Sequence, residues 1–357
     1  MLKRFMACVF SVVFFLTSLG QVPFARADEA LNLPLPGAMM SLSDPYEPVL
    51  VKGLTVHKDN PFMFDFVVDV GNTQLTAKDQ NFKTEADRLI KYFFACLTIP
   101  EKDLWVNLSP YEKNKMAPDA LGQTALGRDL LAEDYILKQL TASLIYPEKD
   151  LGREFWNRIY AKSQALYGTK EIPVNTFNKV WILADKATVY EHGQSAFVVD
   201  GHLKVLLEED YLALEKQSVN SKKIASLPTV ARKDTGDTHS VASQIVREIV
   251  LPELEKEVNQ GKNFAKLRQI FNSLILANWY KKNLKEALLT QVYADKSTVK
   301  GVNLSDPSVK EKIYEQYLQA YKKGVFNYIK EDAQANGQVI PKKYFSGGFA
   351  VNPHMIS

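Results

Sequence analysis

Two apolar patterns alternate along this chain, and together they admit few folds. Val49–Val56 and Phe62–Val70 are short runs dense in β-branched and aromatic residues, the composition of strands, with His57–Pro61 as the turn between them. Leu89, Phe93 and Leu97 instead recur every fourth residue, which predicts a helix over 84–97 that Pro100 stops. Leu104–Leu108 suits a short strand. Leu130, Leu137, Leu140 and Leu144 return to helical spacing before Pro147, and Leu151–Tyr167 is a second helix with Gly168 as its C-terminal cap. Lys179–Tyr190 and Ser195–Leu207 are two further strands joined by Glu191–Gln194. Strands and helices in this order predict an α+β fold: a mixed N-terminal part with antiparallel hairpins and helices, then a mainly α-helical C-terminal part.

The helical part begins past a change of composition. Residues 216–239 lose the apolar period, are rich in Ser, Lys, Thr and Asp, and read as a linker or mobile loop. Ser240 then caps a helix through Val241, Ile245 and Ile249, and Pro252 either kinks it or opens another. Phe264–Leu289 is the strongest helical segment. Leu267, Ile270, Leu274, Ala277, Leu284 and Leu288 form one apolar line, broken only by Lys281, and Phe264, Phe271, Ile275 and Trp279 a second, as expected of a helix wedged between neighbours. Asp306-Pro307 starts a last helix lined by Ile313, Tyr317, Tyr321 and Tyr328. The expected organisation is a signal peptide at 1–27, an extended Pro-rich leader at 28–47, an α+β domain at 48–215, the linker, a helical domain at 240–332 and a loose tail at 333–357.

The N-terminus carries an address. Lys3 and Arg4 precede an apolar run from Phe5 to Leu19, and Ala25-Arg26-Ala27 has the small-x-small form that signal peptidase cuts after. The run is shorter than the roughly 20 residues that span a bilayer. Cleavage after Ala27 would therefore leave no transmembrane segment and place the chain across the inner membrane, in the periplasm or outside the cell. It also removes the whole basic surplus. The full chain has 44 Lys and Arg against 41 Asp and Glu, and Lys3, Arg4 and Arg26 account for the difference of three. A neutral chain has no overall electrostatic case for nucleic acid. Cys8 leaves with the signal, so the remaining Cys96 has no partner for an internal disulfide. It sits among aromatics as a buried thiol would; the sharper alternative is a reactive or intermolecular thiol.

Residues able to carry chemistry are sparse. The five histidines form no HExxH, and there is no Gly-x-Ser-x-Gly, P-loop or calcium loop. No metal or cofactor is expected. The best acid–base candidates fall in 191–210: Glu191, Asp200, His202 and Glu208, with Asp200 and His202 two apart on one strand. Glu208-Glu209-Asp210 is more simply a strand end or the first turn of a helix, where carboxylates complement the helix dipole. The four tryptophans could line a sugar groove, although core packing is their commoner use.

Four strings are unusually specific: Asp103–Tyr111, Asp134–Leu140, Pro173–Trp181 and Lys342–Gly348. With them the chain resembles uncharacterised exported bacterial proteins. The resemblance implies an envelope address and assigns no functional residue.

The leading expectation is an exported, soluble, non-catalytic envelope protein that binds or scaffolds a protein partner, with the apolar faces of Phe264–Leu289 or Ile313–Tyr328 as partner surface or core. The alternative is an envelope hydrolase acting on glycan or peptide through Glu191, Asp200, His202 and Glu208.

Overall fold

The computed structural model describes residues 9–10, 33–57, 60–109, 112, 116–168, 170, 179–221, 243–287, 308–322, 331–333, 339–341 and 348–351. The strands are β1 (Val9–Phe10), β2 (Leu50–His57), β3 (Asn60–Asp69), β4 (Trp105–Asn107), β5 (Val180–His192), β6 (Ser195–Leu207), β7 (Glu331–Ala333), β8 (Val339–Pro341) and β9 (Gly348–Val351). The helices are α1 (Gln80–Thr98), α2 (Asp119–Gly122), α3 (Ala125–Leu144), α4 (Asp150–Tyr167), α5 (Glu208–Ser221), α6 (Leu251–Gln260), α7 (Ala265–Ala287) and α8 (Ser308–Lys322).

The fold is α+β. Four antiparallel strands in the order β3-β2-β6-β5 form its sheet. β9 joins β5 in parallel and β4 joins β9 antiparallel, while Val9–Phe10 pairs with the outer edge of β3. These two residues are the described part of the segment read as a signal.

Two bulges shape the β5–β6 hairpin. Asp185 is the extra residue between the pairs Ala184–Leu203 and Lys186–His202, and Val199 the extra one between Thr188–Asp200 and Val189–Val198. Each bulge reverses the alternation of its strand. Ala184 and Ala187 therefore both face the core, as do Val198 and Leu203, although neither pair is an even number of residues apart. The turn at the tip places Gly193 at φ 62°, a conformation that glycine takes without a steric penalty.

α1, α3 and α7 pack with the sheet around one hydrophobic core that draws on residues from both 48–215 and 240–332. Phe64, Phe66, Phe93, Phe94 and Tyr280 meet there with ring centroids 5.0–6.2 Å apart, and Cys96 is fully buried in the same core. Burial pushes the Cys96 thiol up to about 12, so it is not a thiolate at neutral pH. Both apolar lines of α7 are buried, from Leu267 to Tyr280, and so are Ile313, Tyr314, Tyr317 and Ala320 of α8. The helical faces expected as partner surface or core are core over these residues.

Helix ends follow local chemistry. Thr124 accepts the Gly127 N–H at 3.0 Å and caps α3. Gly168 closes α4 at φ 66°. Ile99 is extended, as the residue before Pro100 must be, and α1 stops there. Pro252 opens α6 rather than breaking it, and the chain enters through one wide π turn at Val246–Val250.

Two expectations are corrected. Residues 33–47, expected as an extended leader, form neither helix nor strand, turn at Pro36-Gly37, and are tied to α3, α6 and α7 by hydrogen bonds. α5 runs to Ser221 and takes the first residues of the expected linker; 222–239 and the expected Ser240 cap lie outside the described residues. The tail contributes the β7–β8 pair and the sheet strand β9. Gly347-Gly348 and the nearby lysines hid the short apolar run Phe349–Val351 from a composition-based reading. The Asp306-Pro307 start also lies outside the described residues. Among the described residues no helix is long and apolar enough to cross a membrane.

Candidate functional site: a charged ladder on helix α3

α3 is buried nearly all round, and its polar side chains are buried with the leucines. Asp129, Glu133, Asp134, Lys138, Gln139, Thr141 and Ser143 are all at most 4% exposed. A charge in such a place costs several kcal/mol unless it is paired and hydrogen-bonded. The surrounding elements supply the partners in two groups.

The first group surrounds Asp134. Lys138, one turn on, bonds its Oδ2, and the Leu108 N–H at the end of β4 donates to the same oxygen at 2.8 Å. Lys138 also lies 5.6 Å above the ring of Tyr317 on α8. Burial drives both members toward neutrality: the Asp134 carboxyl is pushed up to about 6 and the Lys138 ammonium down to about 8, each held back by the other's charge. Lys179, just before β5, extends the network outward. It bonds Glu112 and lies 3.4 Å from Glu208, and both carboxylates are about one-third exposed. Asn107 of β4 completes this edge by donating to Glu112 at 2.7 Å.

The second group surrounds Asp129 and Glu133, which share a face of α3 at a spacing of four. Tyr92 of α1 bonds Asp129, Arg128 Nε donates to it at 3.0 Å, and Lys266 of α7 lies 3.9 Å away. Burial and the Asp129 charge hold the Tyr92 phenol protonated well above the usual tyrosine range. Glu133 is satisfied less well. Its Oε2 has no hydrogen-bond partner among the described residues, and burial pushes its carboxyl up to about 8 despite Lys266 and Arg268 nearby.

These groups pair with one another, and the innermost, Asp134 and Lys138, have no exposed side-chain surface. The arrangement is suited to holding α1, α3, α7, β4 and the base of the β5–β6 hairpin in register. It offers no substrate access to the perturbed groups at its centre.

The residues picked out by sequence lie elsewhere, with one exception. Glu208 joins the ladder's outer edge through Lys179. Glu191 is at the opposite end of the hairpin, where it accepts the Trp279 indole N–H at 2.8 Å. Strands of 13 residues separate the two ends by about 40 Å. Asp200 and His202 fall between, opposite Thr188 and Lys186. Asp200 is exposed; His202 is partly exposed, with Nδ1 3.6 Å from Asp185 and Nε2 3.3 Å from Glu255 of α6. The four residues are strung along one hairpin and do not converge. Among the described residues no group of His, Cys, Asp and Glu has the geometry of a metal site.

Sequence reasoning missed the ladder because periodicity reports the leucines of α3 and is silent about which polar residues are buried between them. One signal was available: Asp129–Glu133 and Asp134–Lys138 each sit at i,i+4 on a helix too rich in leucine to have a solvent face.

No family model, curated protein or solved structure matches this chain. Residue roles therefore rest on the geometry above.

Removing one member of the buried pair tests the ladder's structural role. Lys138→Met leaves Asp134 buried without its partner and is expected to cost about 3–5 kcal/mol in urea denaturation. Asp134→Asn with Lys138→Met, which removes both charges, recovers a large part of that loss. A double variant no more stable than Lys138→Met alone would contradict this expectation.

Glu133 sets a pH dependence. Its folded value, about 8, lies above the ordinary 4.5, so between these values the folded state keeps a proton that the unfolded chain has released. This stabilisation is complete below about pH 4.5 and is lost as pH rises through about 8. Its slope reaches about 1.4 kcal/mol per pH unit. Denaturation of wild type and Glu133→Gln across this window should show a steeper decline in wild type, most clearly between about pH 6 and 8, above the Asp134 transition that both proteins share; parallel curves would contradict it.

Proposed function

We propose that this chain is an exported, non-catalytic protein of the bacterial envelope that binds a protein partner through the outer face of the β5–β6 hairpin. The layout of residues 1–27 supports export. The observation that carries the binding reading is an apolar patch on paired strands. Tyr190 is 58% exposed and Val199 62%, and Phe197, directly opposite Tyr190, is only half-buried. Phe197 and Val199 are neighbours on β6, so these side chains form a group rather than a scatter of single surface residues.

The patch is built into the hairpin. Val199 is the bulge residue, freed by the bulge from the inward alternation of its neighbours. Phe197 lies over Gly53 of β2, where an added Cβ would come within 2.6 Å of its ring, so the glycine makes room for the aromatic. Exposed Thr188 and Asp200, paired directly beside it, border the area. An apolar centre with a polar rim is the anatomy of a modest protein interface.

The reading is tested in cells expressing the full chain with a photocrosslinking phenylalanine at position 199 or, as a control, at exposed Glu101. A discrete adduct in the envelope fraction from position 199, lost on Tyr190→Ser, is the expected result. Adducts of equal yield from both positions, or a chain retained in the cytoplasm, would contradict it.

A further inference from the structure

The face of the sheet turned away from α1, α3 and α7 carries a second, smaller apolar cluster. Trp181, Leu183 and Leu206 are buried there, and Trp105 of β4 and Tyr211 of α5 pack against them half-buried. The Trp181 and Tyr211 rings stack with centroids 4.8 Å apart. Val180, Ile182 and Ala184 of β5 and Val106 of β4 belong to the main core instead, so the alternation of both strands separates the two faces.

Two polar side chains on this outer face are buried without a match. Trp181 is 7% exposed and Asn107 3%, and neither Trp181 Nε1 nor Asn107 Oδ1 has a hydrogen-bond partner among the described residues. Strand register puts the two in one row. Asn107 lies two residues along β4 from Trp105 and so shares its face. It pairs with Gly348 of β9, and the pairing of Ile182 with Phe349 sets Trp181 beside the same glycine on its other side. Gly348 leaves the row without a side chain between them. Buried polar groups are nearly always bonded, so an unmatched donor and an unmatched acceptor in one row call for a group that can serve both. A hydroxyl accepts and donates. A cation cannot accept from the indole, and an anion cannot donate to the amide oxygen.

The rim narrows the ligand further. Asn107 Nδ2 donates to Glu112 at 2.7 Å, and Lys179, just before β5, bonds Glu112 and lies 3.4 Å from Glu208. Glu112 and Glu208 are each about one-third exposed, so this rim reaches solvent. Carboxylates accept from hydroxyls and an ammonium donates to them, while the rings of Trp105 and Tyr211 offer apolar faces to the C–H face of a pyranose. A mostly apolar lining with a few polar groups is the make-up of a small-molecule site.

We propose that this outer-face cluster of β4, β5, β9 and α5 binds a pyranose ring of a saccharide, with Trp181 Nε1 donating to a sugar hydroxyl and Asn107 Oδ1 accepting from it. The site is at the opposite end of the β5–β6 hairpin from Tyr190, so it stands or falls independently of the partner-binding patch.

The test titrates the isotope-labelled full chain with maltotriose and, separately, with the trimer of N-acetylglucosamine, at millimolar concentration. The Trp181 indole N–H resonance, assigned by its loss in Trp181→Phe, is expected to shift saturably with at least one of them. Trp181→Phe keeps an aromatic ring and removes the donor; followed through the Trp105 indole resonance, it should bind roughly tenfold more weakly. Gly348→Val puts a side chain between Asn107 and Trp181 and should abolish the shift. A Trp181 resonance that neither saccharide moves overturns the proposal, as does binding by either variant that equals wild type. If a variant fails to fold, the wild-type titration decides alone.

Discussion

Placing four ionisable side chains on a helix that has no solvent face constrains the rest of this protein. Ionised groups lose several kcal/mol each on leaving water, and only well-aimed partners restore it. Asp129, Asp134 and Lys138 are buried at that cost on α3, and Glu133 avoids it by keeping its proton up to about pH 8. The recovery comes from several directions: Tyr92 on α1, Lys266 on α7, the Leu108 N–H beyond β4, and Lys179 at the foot of β5. An apolar core of leucines tolerates sliding and repacking. A buried carboxylate that needs a particular N–H does not, and so the ladder specifies how the sheet and helices meet. Glu133 Oε2 and Asp134 Oδ1, both without a bond among the described residues, are the places where that matching is incomplete.

The sheet shows the same economy at its edge. β6 pairs with β2 only at Ser195–Phe197, which leaves its second half open on that side. α6 closes it with side chains. Asn259 both accepts the Leu203 N–H and donates to the Leu203 carbonyl, and Glu255 accepts the Val205 N–H. These bonds imitate a neighbouring strand and protect an edge that could otherwise pair with another chain. α6 also supplies Glu257 to Ser43 of the leader, so one ten-residue helix serves both the sheet edge and the docked segment.

How much of this was legible depended on the kind of force involved. α7, the β5–β6 hairpin and the Gly168 cap are written in apolar spacing and backbone freedom, which are local and periodic, and they appear where the spacing puts them. The Glu208-Glu209-Asp210 cluster likewise opens a helix, as its dipole chemistry suggests. The docked leader, β9 and the charged ladder are not local. The leader is held by hydrogen bonds to its backbone, by Ser43 on Glu257 and by Leu33 and Met40 against the core, scattered contacts with no periodic signature. β9 is only four residues long and becomes a strand because β5 and β4 have open edges. The ladder looks in sequence like ordinary helix polarity, and only the burial of α3 on every side gives it a different meaning. The same limit governed the candidate acids: Glu191 and Glu208 are close in number but lie at opposite ends of a long hairpin.

The central claim is that α3 and its charges form the part of the molecule that opens last. Native-state hydrogen exchange measures this directly. The amides from Asp134 to Lys138 are predicted to exchange only through global unfolding, with an opening free energy equal to that of the whole protein and at least as high as that of the β5–β6 strands. Exchange of these amides through a local opening of lower free energy, while α7 and the β5–β6 strands remain protected, would contradict the account.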